Sequence, residues 1–229
     1  FVSAKLMRAQ GSGVTLIISP LLALMRNQME AAQRLGLRAL TVNSTNRKDW
    51  PHVRDELLAD RVDLLLISPE RLANDEFVAE TLLPIAARIG LLVIDEAQDM
   101  TEDEFALVEA LIRKNEDLKV VAVGDDDQNI YSFRRSNSRY MRKLVDEYGA
   151  RTHDLLVNFR SKKCLVEFAN RFWETIPERM KQSRIISHDQ DEGEIRIVQY
   201  QSPNMVIPLV QDICATPLIG TTCVLTQTN

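Results

Sequence analysis

Two adjacent carboxylates, Asp95 and Glu96, close the apolar run Leu91-Leu92-Val93-Ile94, and Gln98 and Asp99 follow directly. A short, wholly apolar run reads as a strand buried on both faces, as in a parallel sheet. Unpaired charge is too costly inside such a core. The two acids are therefore expected at the carboxyl end of the strand, where open α/β sheets bind ligands. A carboxylate there can hold Mg²⁺, a hard cation that takes oxygen ligands, beside a polyphosphate. The structural alternative is that both acids cap the helix that follows. A second chemical stretch, Gly124-Asp125-Asp126-Asp127-Gln128, closes the apolar run 119–123, with Tyr131, Phe133 and Arg134 shortly after. The Gln128 amide can both donate and accept hydrogen bonds, and the aromatic rings offer flat faces for stacking. The alternative for this stretch is an acidic turn followed by two core aromatics.

The elements that must position these residues are legible as a strand–helix alternation. Residues 14–18 form an apolar run that Ser19-Pro20 break, and Leu21 to Leu35 carries apolar residues at helical spacing, stopped by Gly36. A strand is expected at 38–42, a helix at 49–60 with Pro51 in its first turn, and a third strand at 62–67. Thr101 to Arg113 reads as an amphipathic helix with Thr101 as its N-cap and Glu104 completing a capping box. Residues 152–157 read as strand-like, a helix runs to Trp173, 182–193 as a mobile stretch, 194–200 and 222–226 as strands, and about 205–214 as a helix. Such alternation implies βαβ units and a parallel sheet. Three strand ends share polar punctuation: Ser19-Pro20, Asn43-Ser44-Thr45 and Ser68-Pro69-Glu70-Arg71. Each suits a helix cap, and a row of them along one sheet edge suits a row of phosphates. Arg134, Arg135, Arg139, Arg142 and Lys143 form a local basic cluster, either a solvated helix face or a phosphate contact.

Bulk properties narrow the classes. Hydrophobic residues make up 45% and charged residues 27% of the chain, as in ordinary globular proteins. A net charge of −5 excludes a globally basic nucleic-acid binder, so any DNA contact must come from local patches. No apolar run is long enough to span a bilayer. Cys164, Cys214 and Cys223 make no CxxC pair, which implies reduced thiols and a cytoplasmic setting. His52, His153 and His188 are far apart, giving a histidine-based metal site little support. No GxxxxGK[ST] stretch is present, and Gln10-Gly11-Ser12-Gly13 reads as a turn. Phe1 is not a natural start, so the chain reads as a fragment of something longer.

The tetrad Asp95-Glu96-Ala97-Gln98 with Asp99 resembles motif II of UvrD/Rep-like superfamily 1 DNA helicases. Gly124 to Arg134 resembles motif III of the same family, with Arg135 where that family has Gly. Asn158-Phe159-Arg160-Ser161 resembles its motif IV. Upstream, ISPLLALMRNQ, TVNST and LISPERL resemble motifs Ia, Ib and Ic of RecQ-type DNA helicases, over roughly residues 14–95. The two halves meet at a shared Asp-Glu-Ala, and the UvrD/Rep-like part covers about 91–229. The whole is similar to a fragment of a bacterial protein joining a RecQ-like and a UvrD-like helicase, and either an internal deletion between two motif II sequences or an assembly error in the gene sequence would produce the join. The resemblance implies an α/β fold: a RecA-like parallel sheet with flanking helices, of the P-loop NTPase type, plus the beginning of a second RecA-like domain. Residues 1–180 would be the motor domain lacking its P-loop segment, 181–193 a linker, and 194–229 a partial second domain. ATP and Mg²⁺ are the implied cofactors and DNA the implied partner. Asp95 and Glu96 would hold Mg²⁺, with Gln98 and Asp127 also at the cofactor. Glu96, Gln128 and Arg160 would be catalytic, with Glu96 orienting the attacking water. Ser19, Arg26, Ser44, Thr45, Arg71, Tyr131, Phe133 and Arg134 would contact DNA. The implied activity is ATP-dependent DNA unwinding, weak or absent in this chain alone; the alternative is a non-enzymatic single-stranded DNA-binding remnant.

Overall fold

Apolar residues on neighbouring positions of one strand must face opposite layers, and that requirement sets the architecture. The computed structural model describes residues 1–20, 22–129, 138–177, 179–199, 201, 204–216 and 223. Five parallel strands form one sheet in the order β2-β3-β1-β4-β5: β1 Val14–Ile18, β2 Ala39–Val42, β3 Leu64–Ile67, β4 Ile89–Ile94 and β5 Lys119–Ala122. Leu16, Ile18, Leu65, Ile67, Leu92 and Ile94 face one layer. That layer is closed by helix α3 (Trp50–Leu58), the helical turns at 75–88, helix α4 (Glu102–Lys114) and helix α5 (Arg139–Asp146). The intervening Ile17, Leu64 and Leu66 face the other layer, closed by helix α1 (Val2–Ala9) and helix α2 (Leu22–Arg34) through Ala4, Met25 and Ala32. The expected α/β class and parallel sheet are thus what the chain adopts. Helix α1 is an addition that the sequence reading did not contain.

The pairing register aligns the strand ends. Val42 pairs with Ile67, Ile67 with Ile18, Ile18 with Ile94, and Ile94 with Ala122. Each next residue therefore exits at the same carboxyl edge: Asn43, Ser68, Ser19, Asp95 and Val123. Helix α4 begins as its sequence dictates, with Thr101 Oγ1 accepting from Glu104 N and Glu104 returning a carboxylate to Thr101 N at 2.8 Å. Among the described residues no helix is long and apolar enough to cross a membrane.

Contacts divide the chain into two compact units, Phe1–Leu155 with Phe172–Arg184, and Leu156–Arg171 with Ile185–Asn229. The second unit pairs two short parallel strands, β6 Val157–Asn158 and β7 Ile186–Ser187, and contains most of helix α6 (Lys163–Trp173) and helix α7 (Val206–Ala215). Residues 194–199 alternate as a strand would but carry no regular structure. A strand needs a partner's backbone to hold it, and the second expected strand, 222–226, lies outside the described residues apart from Cys223.

At the amino edge of the sheet, Asp63 ties three elements. Its carboxylate accepts from Arg38 Nε at 2.9 Å, Arg38 Nη2 at 2.6 Å, Arg38 N at 2.9 Å and Arg8 Nε at 3.0 Å. The Arg38 hydrogen bonds outweigh the cost of burial and, with those of Arg8, hold the Asp63 carboxyl down at about 2. A carboxyl lowered on folding contributes stability that is complete above its unfolded pKa, near 4, and lost as pH falls toward 2. Asp63→Asn should thus cost about 1–2 kcal/mol at pH 7, allowing for solvent screening of Arg38. Urea unfolding of both chains from pH 7 to pH 2 should show that difference shrinking below about pH 4; a pH-independent difference would contradict it.

Candidate functional site

The carboxyl edge of β4 is where charge leaves the core. Asp95 follows Ile94 in line, its backbone N–H donating to Ile18 O at 2.9 Å, and Ser19 Oγ donates to Asp95 Oδ2 at 3.0 Å. Ser19 is fully buried, so its hydroxyl is committed to that carboxylate. Glu96 then adopts a left-handed conformation, φ 53 and ψ 44, which side-chain-bearing residues rarely hold. Strain of this kind concentrates at functional turns. It reverses the chain into the short turn Ala97–Asp99.

Gln98 joins this turn to the end of β5. It is buried, its Nε2 donates to Glu96 Oε2 at 2.7 Å, and its Oε1 accepts from Asp125 N at 3.0 Å. Gln98 O accepts from Asn129 Nδ2 at 2.6 Å. Gly124 makes the approach possible, since a Cβ there would stand 2.5 Å from Gln98 Oε1 and 3.0 Å from Gln98 N. The loop 125–129 is thereby fixed against the β4 turn, and exposed Gln128 is held within it, its Nε2 donating to Asp125 Oδ2 at 2.8 Å. Asp95, Glu96, Gln98 and Gln128 therefore belong to one local assembly.

The three acids before Gln128 bring their carboxylate oxygens within 4.8 Å of one another, the spacing of a possible metal cluster. Protein cations already pair with two of them. Arg179 grips Asp127 through Nε and Nη2, both at 2.5 Å, Lys181 Nζ reaches Asp125 at 3.0 Å and Asp127 at 3.3 Å, and Met180 N donates to Asp126. The Arg179 guanidinium lies 3.4 Å from the centroid of the Trp173 ring. Burial works against charge on Asp127, but hydrogen bonding to Arg179 and the charge of Lys181 prevail and keep its carboxyl below the usual range. Asp95 and Glu96 differ. Among the described residues no Lys or Arg nitrogen lies within 4.0 Å of either, though both are half-buried. Two adjacent oxygen donors without a protein cation fit a hard divalent ion such as Mg²⁺.

The remaining expected residues fall as follows. Ser44 and Thr45 are exposed beyond β2, where Asn43 Oδ1 accepts from Thr45 N and Oγ1 at 2.9 and 2.6 Å. Arg71 is half-buried beyond β3, and Arg26 is exposed on α2. All four flank strands that end on the same edge as β4, and β2 lies roughly three strand spacings, about 14 Å, from β4. Arg160 belongs to the second unit, where it is exposed and its backbone N–H donates to Asn158 Oδ1 at 2.9 Å. Tyr131, Phe133 and Arg134 lie outside the described residues. The sequence reading missed Arg179, Lys181 and Trp173. The one signal available was that three consecutive acids demand cations, but no spacing rule names which.

Comparison with known proteins agrees with both halves of the sequence reading. The family described as the UvrD/REP helicase N-terminal domain matches residues 15–149, more than half of the chain. The chain is 27% identical over 140 residues to ATP-dependent DNA helicase Rep of Buchnera aphidicola subsp. Acyrthosiphon pisum, covering 57% of this chain and 21% of that protein. It is 30% identical over 116 residues to ATP-dependent DNA helicase RecQ of Bacillus subtilis, covering 48% of this chain and 19% of that protein. ATP-dependent DNA helicase srs2 of Schizosaccharomyces pombe is 31% identical over 116 residues, covering 50% of this chain and 11% of that protein. The chain thus spans about a fifth or less of the length of the curated relatives it matches.

Removing one partner of a buried ion pair leaves the other charge uncompensated. Arg179→Ala should therefore destabilise the chain by about 3 kcal/mol at pH 7. Arg179→Lys should recover only part of this, since an ammonium has neither the two-pronged grip nor the flat face that rests on Trp173. Because the Asp127 carboxyl is lowered, the loss should diminish as pH falls below the ordinary carboxylate range. Urea unfolding at pH 7 and pH 3 checks this, and equal stability of Arg179→Ala and the unaltered chain at pH 7 would refute it.

Proposed function

This chain belongs to the UvrD/REP helicase N-terminal domain family, and we propose that it is an incomplete motor fragment of an ATP-dependent DNA helicase. The observation that carries the proposal is the Asp95-Glu96 pair, which has no protein cation among the described residues and is bridged by Gln98 to the loop bearing Gln128. In this reading Asp95, steadied by Ser19, and Glu96 hold Mg²⁺ beside the phosphates of ATP. The metal supplies neutralisation of charge on the β- and γ-phosphates. Glu96 orients the attacking water and accepts its proton, with its carboxylate aimed by Gln98. Gln128 senses the terminal phosphate, so the Gln98 bridge ties that sensing to the water-orienting acid. Arg160 is the residue assigned to supply positive charge to the γ-phosphate, on the motif IV resemblance alone. Ser44, Thr45, Arg26 and Arg71 contact the backbone of one DNA strand, and Tyr131, Phe133 and Arg134 its bases and phosphates. A cytoplasmic, nucleoid-associated setting in a bacterium follows from the same reading.

Residues 1–229 contain no GxxxxGK[ST] stretch, and that observation favours a second reading, a non-enzymatic single-stranded DNA-binding remnant. An ATPase assay with and without single-stranded DNA, run beside a binding assay across a salt series, separates the two. The motor-fragment reading expects salt-sensitive DNA binding and turnover well below about 1 s⁻¹, with any DNA-stimulated part lost in Glu96→Gln. DNA binding with no turnover above background supports the remnant. Turnover unchanged in Glu96→Gln contradicts the role given to Glu96, and no DNA binding at any salt contradicts both readings.

A further inference from the structure

Arg47, Trp50 and Arg71 form a stacked group on the β2–β3 side of the carboxyl edge that the acid pair on β4 does not use. Arg47 Cζ lies 5.8 Å, and Arg71 Cζ 5.5 Å, from the centroid of the Trp50 ring. Trp50 is itself fixed. Its ring packs on buried Phe77 with centroids 5.4 Å apart, and its Nε1 donates to Asn46 Oδ1 at 3.4 Å. Asn46 is anchored in turn, accepting from Asn43 N at 2.9 Å and donating to Thr41 O at 2.6 Å. Two guanidinium groups are thus gathered on one aromatic ring, and like charges so close repel unless an anion joins them. Among the described residues Arg47 has no carboxylate within ion-pair distance. Arg71 approaches Glu70 only at 4.0 Å, and that carboxylate accepts from Ser68 Oγ at 2.7 Å. Arg71 Nε is buried without a hydrogen-bond partner among the described residues.

Stacking engages the face of a guanidinium and leaves its in-plane N–H donors free, in a fork matched to phosphate. We propose that Trp50 is a positioning residue that holds Arg47 and Arg71 as a two-pronged clamp on the phosphates of a single DNA strand. The clamp continues the line of exposed Ser44 and Thr45. It rests on the DNA-binding reading above and adds Arg47 and Trp50, which that reading does not use.

Fluorescence anisotropy of a labelled oligo-dT with the full chain, titrated across a KCl series, tests it. Arg47→Ala and Arg71→Ala should each weaken binding about tenfold at low salt and flatten the log K against log salt slope by about 0.7, the loss of one phosphate contact. Trp50→Ala should weaken binding at least as much and flatten the slope as well, because it releases both arginines, and Trp50→Phe should restore most of both. Arg47 is exposed, so its variant reports on the clamp even if Trp50→Ala fails to fold. Weakened binding by Trp50→Ala at an unchanged slope would overturn the positioning role in favour of direct base stacking. Unaltered binding by all four variants, with the parent chain binding normally, would overturn the clamp and leave the DNA reading standing. Absence of binding by the parent chain would overturn the DNA reading and the clamp with it.

Discussion

A carboxylate that is half out of water must find a positive partner, and the arrangement of this chain follows from how three groups of acids meet that demand. Asp63, at the amino edge of the sheet, is matched by Arg8 and Arg38. Past the end of β5, Asp125 and Asp127 are matched by Lys181 and Arg179, and Asp126 between them accepts from the backbone N–H of Met180. Asp95 and Glu96, past the end of β4, receive only a hydroxyl and an amide. The first two groups hold the fold together. In the third, no Lys or Arg among the described residues reaches either acid, which leaves its negative charge to be balanced by something else.

Register converts that local chemistry into a site. Because the five strands run parallel with their last residues aligned, every polar exit lies on one edge, while the arginine clamp on Asp63 lies on the other. The edge is graded. Hydroxyls and arginines end β2 and β3, and the uncompensated acids end β4. The RecQ-like and UvrD-like resemblances meet on β4, and the sheet passes through that meeting point without a break in pairing, β1 on one side and β5 on the other. Beyond β5 the sheet is open among the described residues, and Val121 and Val123 are 46% and 48% exposed there.

Much of this was legible in the sequence, and for physical reasons. Runs such as Val14–Ile18 and Leu64–Ile67 are buried at every position, and apolar at all but Thr15, because both sheet faces are covered, so strand and burial are nearly one signal. The Thr101–Glu104 capping box is a local hydrogen-bond pattern and needs no tertiary knowledge. What could not be read depends on contacts between distant segments. Gln98 looks like a ligand-facing residue until the β5 loop arrives 27 positions later to occupy its carbonyl oxygen. Ser19 looks like a helix cap or phosphate contact until Asp95, 76 positions on, takes its hydroxyl. Arg179 and Lys181 fall at the edge of a stretch that reads as a linker, and only the fold brings them to the acids 52 to 56 positions earlier. The strand pattern at 194–199 is genuine as a pattern, but alternation specifies a strand only where a partner edge is available.

The central claim is that the acids of β4, and not the triplet beyond β5, are the ones left for a divalent ion. Electron paramagnetic resonance of Mn²⁺, titrated into the full chain, measures this without requiring turnover. A bound fraction that disappears in Asp95→Asn and persists in Asp126→Asn is the predicted result. Mn²⁺ binding that survives Asp95→Asn and is abolished by Asp126→Asn would contradict the account.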